Sequence, residues 1–176
     1  LGYGDTSLYG SQKIPTPNID SLGKQGVRFS NAYVTAASCS PSRAGLISGQ
    51  YQQRFGFEFN TAGGAITHRL HRGLDPSVVT MADVLKHAGY VTGMFGKWHL
   101  GTQPQFHPQA RGFDEFYGNL YHLNAEEEPE HRDYPKDPEF RKRFGPRGVL
   151  HSFANGEIKD TGPLTRKRME TIDDDV

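Results

Sequence analysis

The chain has 176 residues, with 20 basic and 20 acidic side chains and a formal net charge of zero at pH 7. A balanced charge argues against a general nucleic-acid-binding protein, which needs a basic surface. No run approaches the roughly 20 apolar residues of a membrane span. The single cysteine excludes an internal disulfide and a cysteine-based zinc site. The length suits one modest domain or part of a larger one.

Residues 1–14 are predicted to be loop, and helix and strand are predicted to alternate after them. The first predicted helix starts with Thr16 as the N-cap and Pro17 in the first helical position, and Gly26 closes it. Alternating apolar residues predict a strand over 27–34. A second helix is predicted over 41–47, and Gly49 ends it.

Residues 50–79 are predicted to be mostly loop, and the clearest helix follows them. Thr80 and Asp83 have the spacing of a capping box, an apolar stripe follows, and Gly89 ends the helix. Residues 90–95 are almost entirely apolar and predict a buried strand. A helix that leads directly into a buried strand is typical of a layered α/β sheet.

The next segment, 102–147, is predicted to be polar and irregular. Its part 126–147 carries both charge signs and four prolines. We favour a solvated surface insertion there, and a substrate-facing loop is the alternative. A last helix is predicted from about residue 165.

The only cysteine lies in a short motif with features of a reactive site. Cys39 is followed by Pro41, which is predicted to open a helix, and by Arg43 one turn further on. Backbone amides at a helix N-terminus favour negative charge, so this position stabilises a thiolate or an anionic substrate. A lone cysteine is more often a small buried hydrophobic residue, but the surrounding frame favours a functional one.

A second motif, residues 96–101, directly follows the predicted strand 90–95. The carboxyl ends of strands line the active-site crevice in open α/β sheets. Lys97 and His99 are two residues apart, so an extended backbone would direct both side chains to the same side. A cation and a proton-transfer group would then face one point, as the cleavage of an anionic ester requires.

With these two motifs, the chain resembles the type I sulfatases, the formylglycine-dependent arylsulfatases of the alkaline-phosphatase superfamily. Cys39, Pro41 and Arg43 match the family's modification signature, and residues 89–101 match its second signature. Ser48 is a departure, since the family usually has Thr before the following glycine, but a hydroxyl is kept. Three further segments resemble recurrent sulfatase sequences: 1–5, 16–20 and 112–114.

The resemblance implies a role for each residue of the two motifs. Cys39 would be oxidised by a separate formylglycine-generating enzyme, and one hydroxyl of the hydrated aldehyde would attack sulfur. His99 would assist the release of sulfate, and Lys97 would bind the sulfate oxygens. Arg43 would hold the hydrated aldehyde near a Ca²⁺ or Mg²⁺ ion, a hard cation suited to oxygen ligands.

The resemblance also implies an α/β fold, with an alkaline-phosphatase-like sheet flanked by helices. Residues 1–176 would be the N-terminal part of the catalytic domain, truncated at both ends. Of the metal ligands, the chain would then contain only Cys39, as formylglycine. His122 follows the 112–114 segment and is a candidate for substrate binding.

The sequence therefore predicts a sulfuric ester hydrolase acting on a sulfated small molecule or glycan. Two alternatives stay open: a phosphonate or phosphate ester hydrolase of the same superfamily, and a catalytically incomplete binding or scaffold protein. The sequence does not fix the compartment, and the family resemblance alone suggests a periplasmic, secreted or lysosomal protein.

Overall fold

The structure, a computed structural model, describes residues 2–61, 72–121, 131–140 and 148–163. The chain divides into two compact units, Leu1–Tyr33 and Val34–Val176. Within the described ranges, no helix combines the length and the apolar character that crossing a membrane requires.

The first unit contains a 3₁₀ turn, Ser7–Tyr9, and helix α1, Pro17–Gln25. The predicted helix is confirmed. The Thr16 hydroxyl donates to the buried Asp20 carboxylate at 2.9 Å rather than capping the helix. The Ser7 hydroxyl donates to the other Asp20 oxygen at 2.6 Å. This hydrogen bond from Ser7 is the main cause that lowers the pKa of Asp20.

The strand predicted over 27–34 is wrong, because these described residues form no strand. Val27 and Tyr33 are 80% and 88% exposed. The alternation of apolar residues is present in the sequence, but a strand also needs a neighbour for its backbone hydrogen bonds. The described strands do not pair with this segment.

Two helices of the second unit lie close to their predicted positions. Helix α2 spans Cys39–Ser48 and ends at Gly49, whose φ of +65° is the left-handed conformation that glycine favours. It begins two residues before the predicted start, so Cys39 is its first residue rather than a residue that precedes it. Helix α3 spans Met81–His87, and the predicted capping box of Thr80 and Asp83 is confirmed.

The described part of the second unit also contains a four-stranded mixed sheet. Its strands, in spatial order, are β1 Gly93–Lys97, β2 Glu115–Asn119, β3 Gly148–Phe153 and β4 Ile158–Pro163. Strands β1 and β2 are parallel, and the other two pairs are antiparallel. Gly96 lies opposite Gly118, and a Cβ atom on Gly118 would collide with the Gly96 backbone. Glycine at this position therefore allows the close approach of the two strands.

The prediction of a buried strand over 90–95 needs correction. The strand begins at Gly93, because the Tyr90 amide still closes helix α3 and Thr92 is bound to Asp114. Strand β1 lies at the edge of the described sheet, and Phe95 is 54% exposed.

The prediction that 102–147 lacks regular structure is also wrong in part. The segment contains 3₁₀ turns at Pro104–Phe106 and Pro108–Arg111, and then strand β2. Most of the proposed insertion over 126–147 and the helix predicted from residue 165 lie outside the described residues.

The hydrophobic core joins helix α2 to the carboxyl end of β1. Ala44 and Ile47 contribute one face of the helix, and Trp98 and Leu100 follow directly after the strand. Phe57, Leu74, Val78 and Phe116 complete the buried cluster. Burial of an aromatic or aliphatic side chain stabilises a fold by about 1.5–3 kcal/mol. The segments that carry the two predicted motifs therefore contribute to one buried core.

Candidate active site

Cys39 lies at the N-terminus of α2, where the backbone amides have no helical partner. Its side chain is partly buried, and Sγ lies 3.5 Å from the Asn60 side-chain oxygen. The same oxygen accepts a hydrogen bond from the Ser40 amide at 3.1 Å. Because the Ser38 side chain makes no capping hydrogen bond, Asn60 acts as the cap of this helix from 20 residues away.

Arg43 connects α2 to the residues that end strand β1. Its Nε donates to the Trp98 carbonyl at 2.7 Å, and a terminal nitrogen donates to the Lys97 carbonyl. Burial lowers the pKa of the Arg43 guanidinium, and the nearby Cys39 acts in the opposite direction. The guanidinium is planar and donates several hydrogen bonds in fixed directions, so it fixes the Lys97–Trp98 backbone relative to Cys39.

Lys97 is the last residue of β1, and it pairs in register with Asn119 of β2. Its side chain is partly buried. None of the ion pairs among the described residues involves Lys97. The ammonium group is therefore not neutralised by a described carboxylate and is suited to an external anion.

His99 adopts a backbone conformation that is unusual for its residue type. Its φ is +62°, and no other non-glycine residue in the described ranges has a positive φ. The conformation is held on both sides, since the His99 amide donates to Leu120 and the His99 carbonyl accepts from the Thr61 hydroxyl. The ring is buried and meets the Tyr121 ring edge-on, with 4.5 Å between centroids. A constrained backbone of this kind is characteristic of functional sites.

The imidazole of His99 has a defined orientation. Its Nε2 lies 3.0 Å from the Thr61 carbonyl oxygen. A carbonyl can only accept, so this contact places a hydrogen on Nε2, and in the neutral ring Nδ1 then carries the lone pair.

The prediction that the Lys97 and His99 side chains point to the same side assumed an extended backbone, and the extended strand ends at Lys97. The orientation of His99 comes from its hydrogen bonds instead.

The structure brings the two predicted motifs together, although about 60 residues separate them. Cys39 and Arg43 lie on α2, Lys97 and His99 end β1, and Arg43 bridges the two elements. The two elements that Arg43 joins carry two cations, an imidazole and a helix N-terminus, which are groups suited to an anion. The predicted substrate residue His122 lies outside the described residues.

Sequence reasoning missed Asn60 and Thr61, which touch both halves of the site. They lie in a segment predicted only as loop, and neither residue belongs to a recognisable spacing pattern. The one available signal was their position directly after the alternating Phe55, Phe57 and Phe59. A polar pair at that position marks the end of a buried apolar run.

The described residues do not by themselves form a metal centre. Within them, no group of three or more His, Cys, Asp or Glu side chains could hold a metal ion. A hard divalent cation requires six or more oxygen ligands. The described part of the chain therefore does not fit the implied Ca²⁺ or Mg²⁺ ion as a complete site.

The described fold is an α/β fold with a four-stranded mixed sheet and helices. The family model described as Sulfatase matches residues 1–173. The chain therefore belongs to the sulfatase family, and the predicted α/β class is confirmed as part of an alkaline-phosphatase-like domain.

Curated relatives of the chain have sulfatase names. It is 47% identical over 120 residues to N-acetylgalactosamine-6-O-sulfatase of Bacteroides thetaiotaomicron, covering 68% of this chain and 21% of that protein. It is 43% identical over 123 residues to human arylsulfatase A, covering 69% of this chain and 24% of that protein. The aligned region thus spans about a fifth to a quarter of the length of these relatives.

Solved structures match nearly the whole chain. The crystal structure of Ps i-CgsB in complex with k-i-k-neocarrahexaose is 35% identical, with a TM-score of 0.66, and the match covers 99% of this chain and 39% of that one. The PsFucS1 sulfatase from Pseudoalteromonas sp. is 26% identical, with a TM-score of 0.74, over 99% of this chain and 36% of that one.

Proposed function

We propose that the protein hydrolyses sulfate esters, using a formylglycine made from Cys39. The observation that carries this proposal is the bridge from Arg43 to the backbone of Lys97 and Trp98. It joins the two motifs in which the sequence resembles sulfatases. Membership of the sulfatase family supports the same reaction class.

Each side chain of the site has a distinct proposed task. When Cys39 is converted, the hydrated aldehyde supplies a hydroxyl nucleophile and a second hydroxyl for the release of sulfate. Lys97 binds sulfate oxygens and stabilises the negative charge that develops on them. His99, held through Nε2, exchanges a proton at Nδ1. Arg43 adds positive charge beside position 39 and keeps the backbone of Lys97 in place.

We further propose that the chain is the N-terminal part of a longer catalytic domain that binds Ca²⁺ or Mg²⁺. The relatives, of which the alignments cover 21–24%, support this proposal. Position 39, as formylglycine, would be one ligand, and the others would come from parts of the protein outside the described residues. His122 remains a proposed substrate-binding residue.

The proposed substrate is a sulfated glycan or a sulfated small molecule. One relative is named N-acetylgalactosamine-6-O-sulfatase, and one solved neighbour was crystallised with k-i-k-neocarrahexaose. These names support a saccharide sulfate ahead of a simple aryl sulfate. The proposed protein partner is a formylglycine-generating enzyme that acts on Cys39.

Replacement of the nucleophile tests the proposal. In the complete protein, Cys39→Ala is expected to lower hydrolysis of an aryl sulfate and of a galactosamine 6-sulfate by about 10³-fold or more, because no other described group replaces the nucleophile. The thermal midpoint should change little, since alanine fits the first turn of a helix.

Two further measurements complete this test. Peptide mass spectrometry of the wild type should find position 39 lighter than cysteine by roughly 18 Da. Phosphonate and phosphodiester substrates, tested in parallel, should be poorer than sulfates. Wild-type turnover in Cys39→Ala would reject the hypothesis that a formylglycine at position 39 is the nucleophile. A preference for phosphonates would favour a phosphonate or phosphate ester hydrolase.

A further inference from the structure

Residues 60 and 61 connect the N-terminus of α2 to His99 through side-chain hydrogen bonds. Asn60 contacts the Cys39 side chain at 3.5 Å and the Ser40 amide at 3.1 Å through the same oxygen. Both contacts lie at the first two residues of the helix. The position of the Cys39 side chain relative to the helix end therefore depends on Asn60.

Thr61 continues this connection into the interior. Its amide donates to the Ser40 hydroxyl at 3.2 Å, and its own hydroxyl donates to the His99 carbonyl at 3.1 Å. Its carbonyl lies 3.0 Å from Nε2 of the His99 ring. Ser40, Thr61 and His99 are all at most 2% exposed, so water does not compete for these hydrogen bonds.

We propose that Asn60 and Thr61 are positioning residues of the active site, which fix Cys39 and His99 relative to each other through the hydrogen bonds described above. The inference deepens the proposed function and rests on it for the role of the two residues that are held. A nucleophile and a proton-transfer group must keep a defined separation, and a displacement of about 1 Å can lower a rate about 100-fold.

Thr61 supplies the sharpest comparison, because two replacements separate the hydroxyl from the shape of the side chain. In the complete protein, Thr61→Val removes the contacts of the Thr61 hydroxyl with the His99 carbonyl and, at 3.4 Å, with the Ser40 hydroxyl. It is expected to lower kcat by about 10- to 100-fold with little change in KM. Thr61→Ser keeps the hydroxyl and should recover most of kcat. Thr161→Val is the matched control, because its hydroxyl also donates to a backbone carbonyl, that of Val149, on strand β3.

Asn60 is tested by removal of its oxygen and by addition of a charge. Asn60→Ala should lower kcat by a factor similar to that of Thr61→Val. Asn155→Ala is its control, because the Asn155 side chain also accepts a hydrogen bond from a backbone amide, in the turn between β3 and β4. Asn60→Asp keeps the oxygen but adds a negative charge where an anion must approach. Asn60→Asp should therefore lower kcat/KM although it keeps the oxygen that caps the helix and a thermal midpoint close to that of the wild type.

A readout that needs no catalysis uses the single cysteine in protein made without the converting enzyme. The Asn60 side-chain oxygen contacts the Cys39 sulfur at 3.5 Å, and alanine at position 60 removes that contact and opens space beside the sulfur. Alkylation of Cys39 by iodoacetamide should therefore be at least about threefold faster in Asn60→Ala than in the wild type. Asn155→Ala should react at the wild-type rate.

The two readouts separate the inference from the proposed function. If the wild type does not hydrolyse sulfate esters but Asn60→Ala alkylates at least about threefold faster than Asn155→Ala, the proposed function is wrong and the positioning role stands. The positioning role is overturned if Asn60→Ala alkylates like Asn155→Ala. It is also overturned if the wild type is active and Thr61→Val keeps the kcat of Thr161→Val.

Discussion

Lys97 is the cation of the site that no described carboxylate neutralises, and this property makes its contribution testable. Lys97→Ala is expected to lower kcat/KM for a sulfate ester by about 10²–10³-fold, the usual effect of removing one donor that stabilises developing charge. Lys159→Ala is a suitable control, because Lys159 pairs with Glu157 and contacts the Phe153 ring on the β3–β4 hairpin. Equal kinetics of the two variants would make Lys97 a structural residue only.

His99 combines a chemical group with a backbone conformation that most residues avoid. Asparagine tolerates a positive φ better than alanine does. His99→Asn should therefore lower kcat by about 10²–10⁴-fold through loss of proton transfer, yet keep a thermal midpoint close to that of the wild type. His99→Ala should lower both kcat and the midpoint. Steady-state kinetics and thermal unfolding check the pair, and retained turnover in His99→Asn would remove the imidazole from the mechanism.

Among the elements, the Asp114 carboxylate joins helix α3 to the residue that directly precedes strand β1, and this makes their association depend on pH. Asp114 accepts from Lys86 at 2.7 Å and from the Thr92 amide at 3.0 Å. The hydrogen bond from Lys86 is the main cause that lowers the pKa of Asp114. A carboxyl group with a lowered folded-state pKa stabilises the fold above its unfolded-state value of about 3.9, and this contribution is lost as the pH falls through the folded-state pKa.

Asp114→Asn should therefore flatten the decline of the thermal midpoint below about pH 4 and lower the midpoint at pH 7. The comparison variant is Asp133→Asn, since Asp133 is 70% exposed and lies in the described segment 131–140. Midpoints measured from pH 7 to pH 3 distinguish the two. Identical pH profiles of Asp114→Asn and the wild type would contradict the prediction.

The sequence predicted those elements whose signals are local. The capping box of Thr80 and the left-handed glycine at 49 fix helix ends through contacts within a few residues, and both were found where expected. Strand assignments depended on partners distant in the chain. The 27–34 segment alternates like a strand, but none of the described strands pairs with it. Strand β2 was missed because its antiparallel partner β3 begins almost 30 residues later.

In the candidate site, too, the sequence predicted the features with local signals and not those that depend on distant contacts. Cys39, Arg43, Lys97 and His99 were identified from motif spacing, but their mutual geometry was not available from it. The positive φ of His99 and the contacts of Asn60 and Thr61 arise from packing between segments 20 to 38 residues apart. No local pattern encodes such contacts, so the connection between the two motifs appears only in the folded chain.

At the scale of the whole molecule, the most prominent feature is the exposure of large apolar side chains. Val91, Val27 and Leu22 are 90%, 80% and 73% exposed. Exposed apolar patches favour association or aggregation. Residues 1–176 expressed alone should therefore self-associate and bind a hydrophobic dye. They should hydrolyse no aryl sulfate. Ca²⁺ should not raise the thermal midpoint, since a ligand stabilises a protein only when the native state has a binding site for it.

Size-exclusion chromatography with light scattering and thermal unfolding with and without Ca²⁺ measure these properties. A monomeric, active piece with a cooperative transition that Ca²⁺ raises would mean that the site is complete within residues 1–176. That result would reject the proposal of a longer catalytic domain.

The position of Trp98 has a practical consequence. It is the only tryptophan of the chain, it lies between Lys97 and His99, and its fully buried indole donates to the Phe106 carbonyl at 2.7 Å. Within this chain, tryptophan emission therefore comes from one residue, which lies next to Lys97 and His99 in the sequence. A red shift of that emission reports water entry at this point, so fluorescence offers a local signal of site integrity that needs neither a substrate nor an added label.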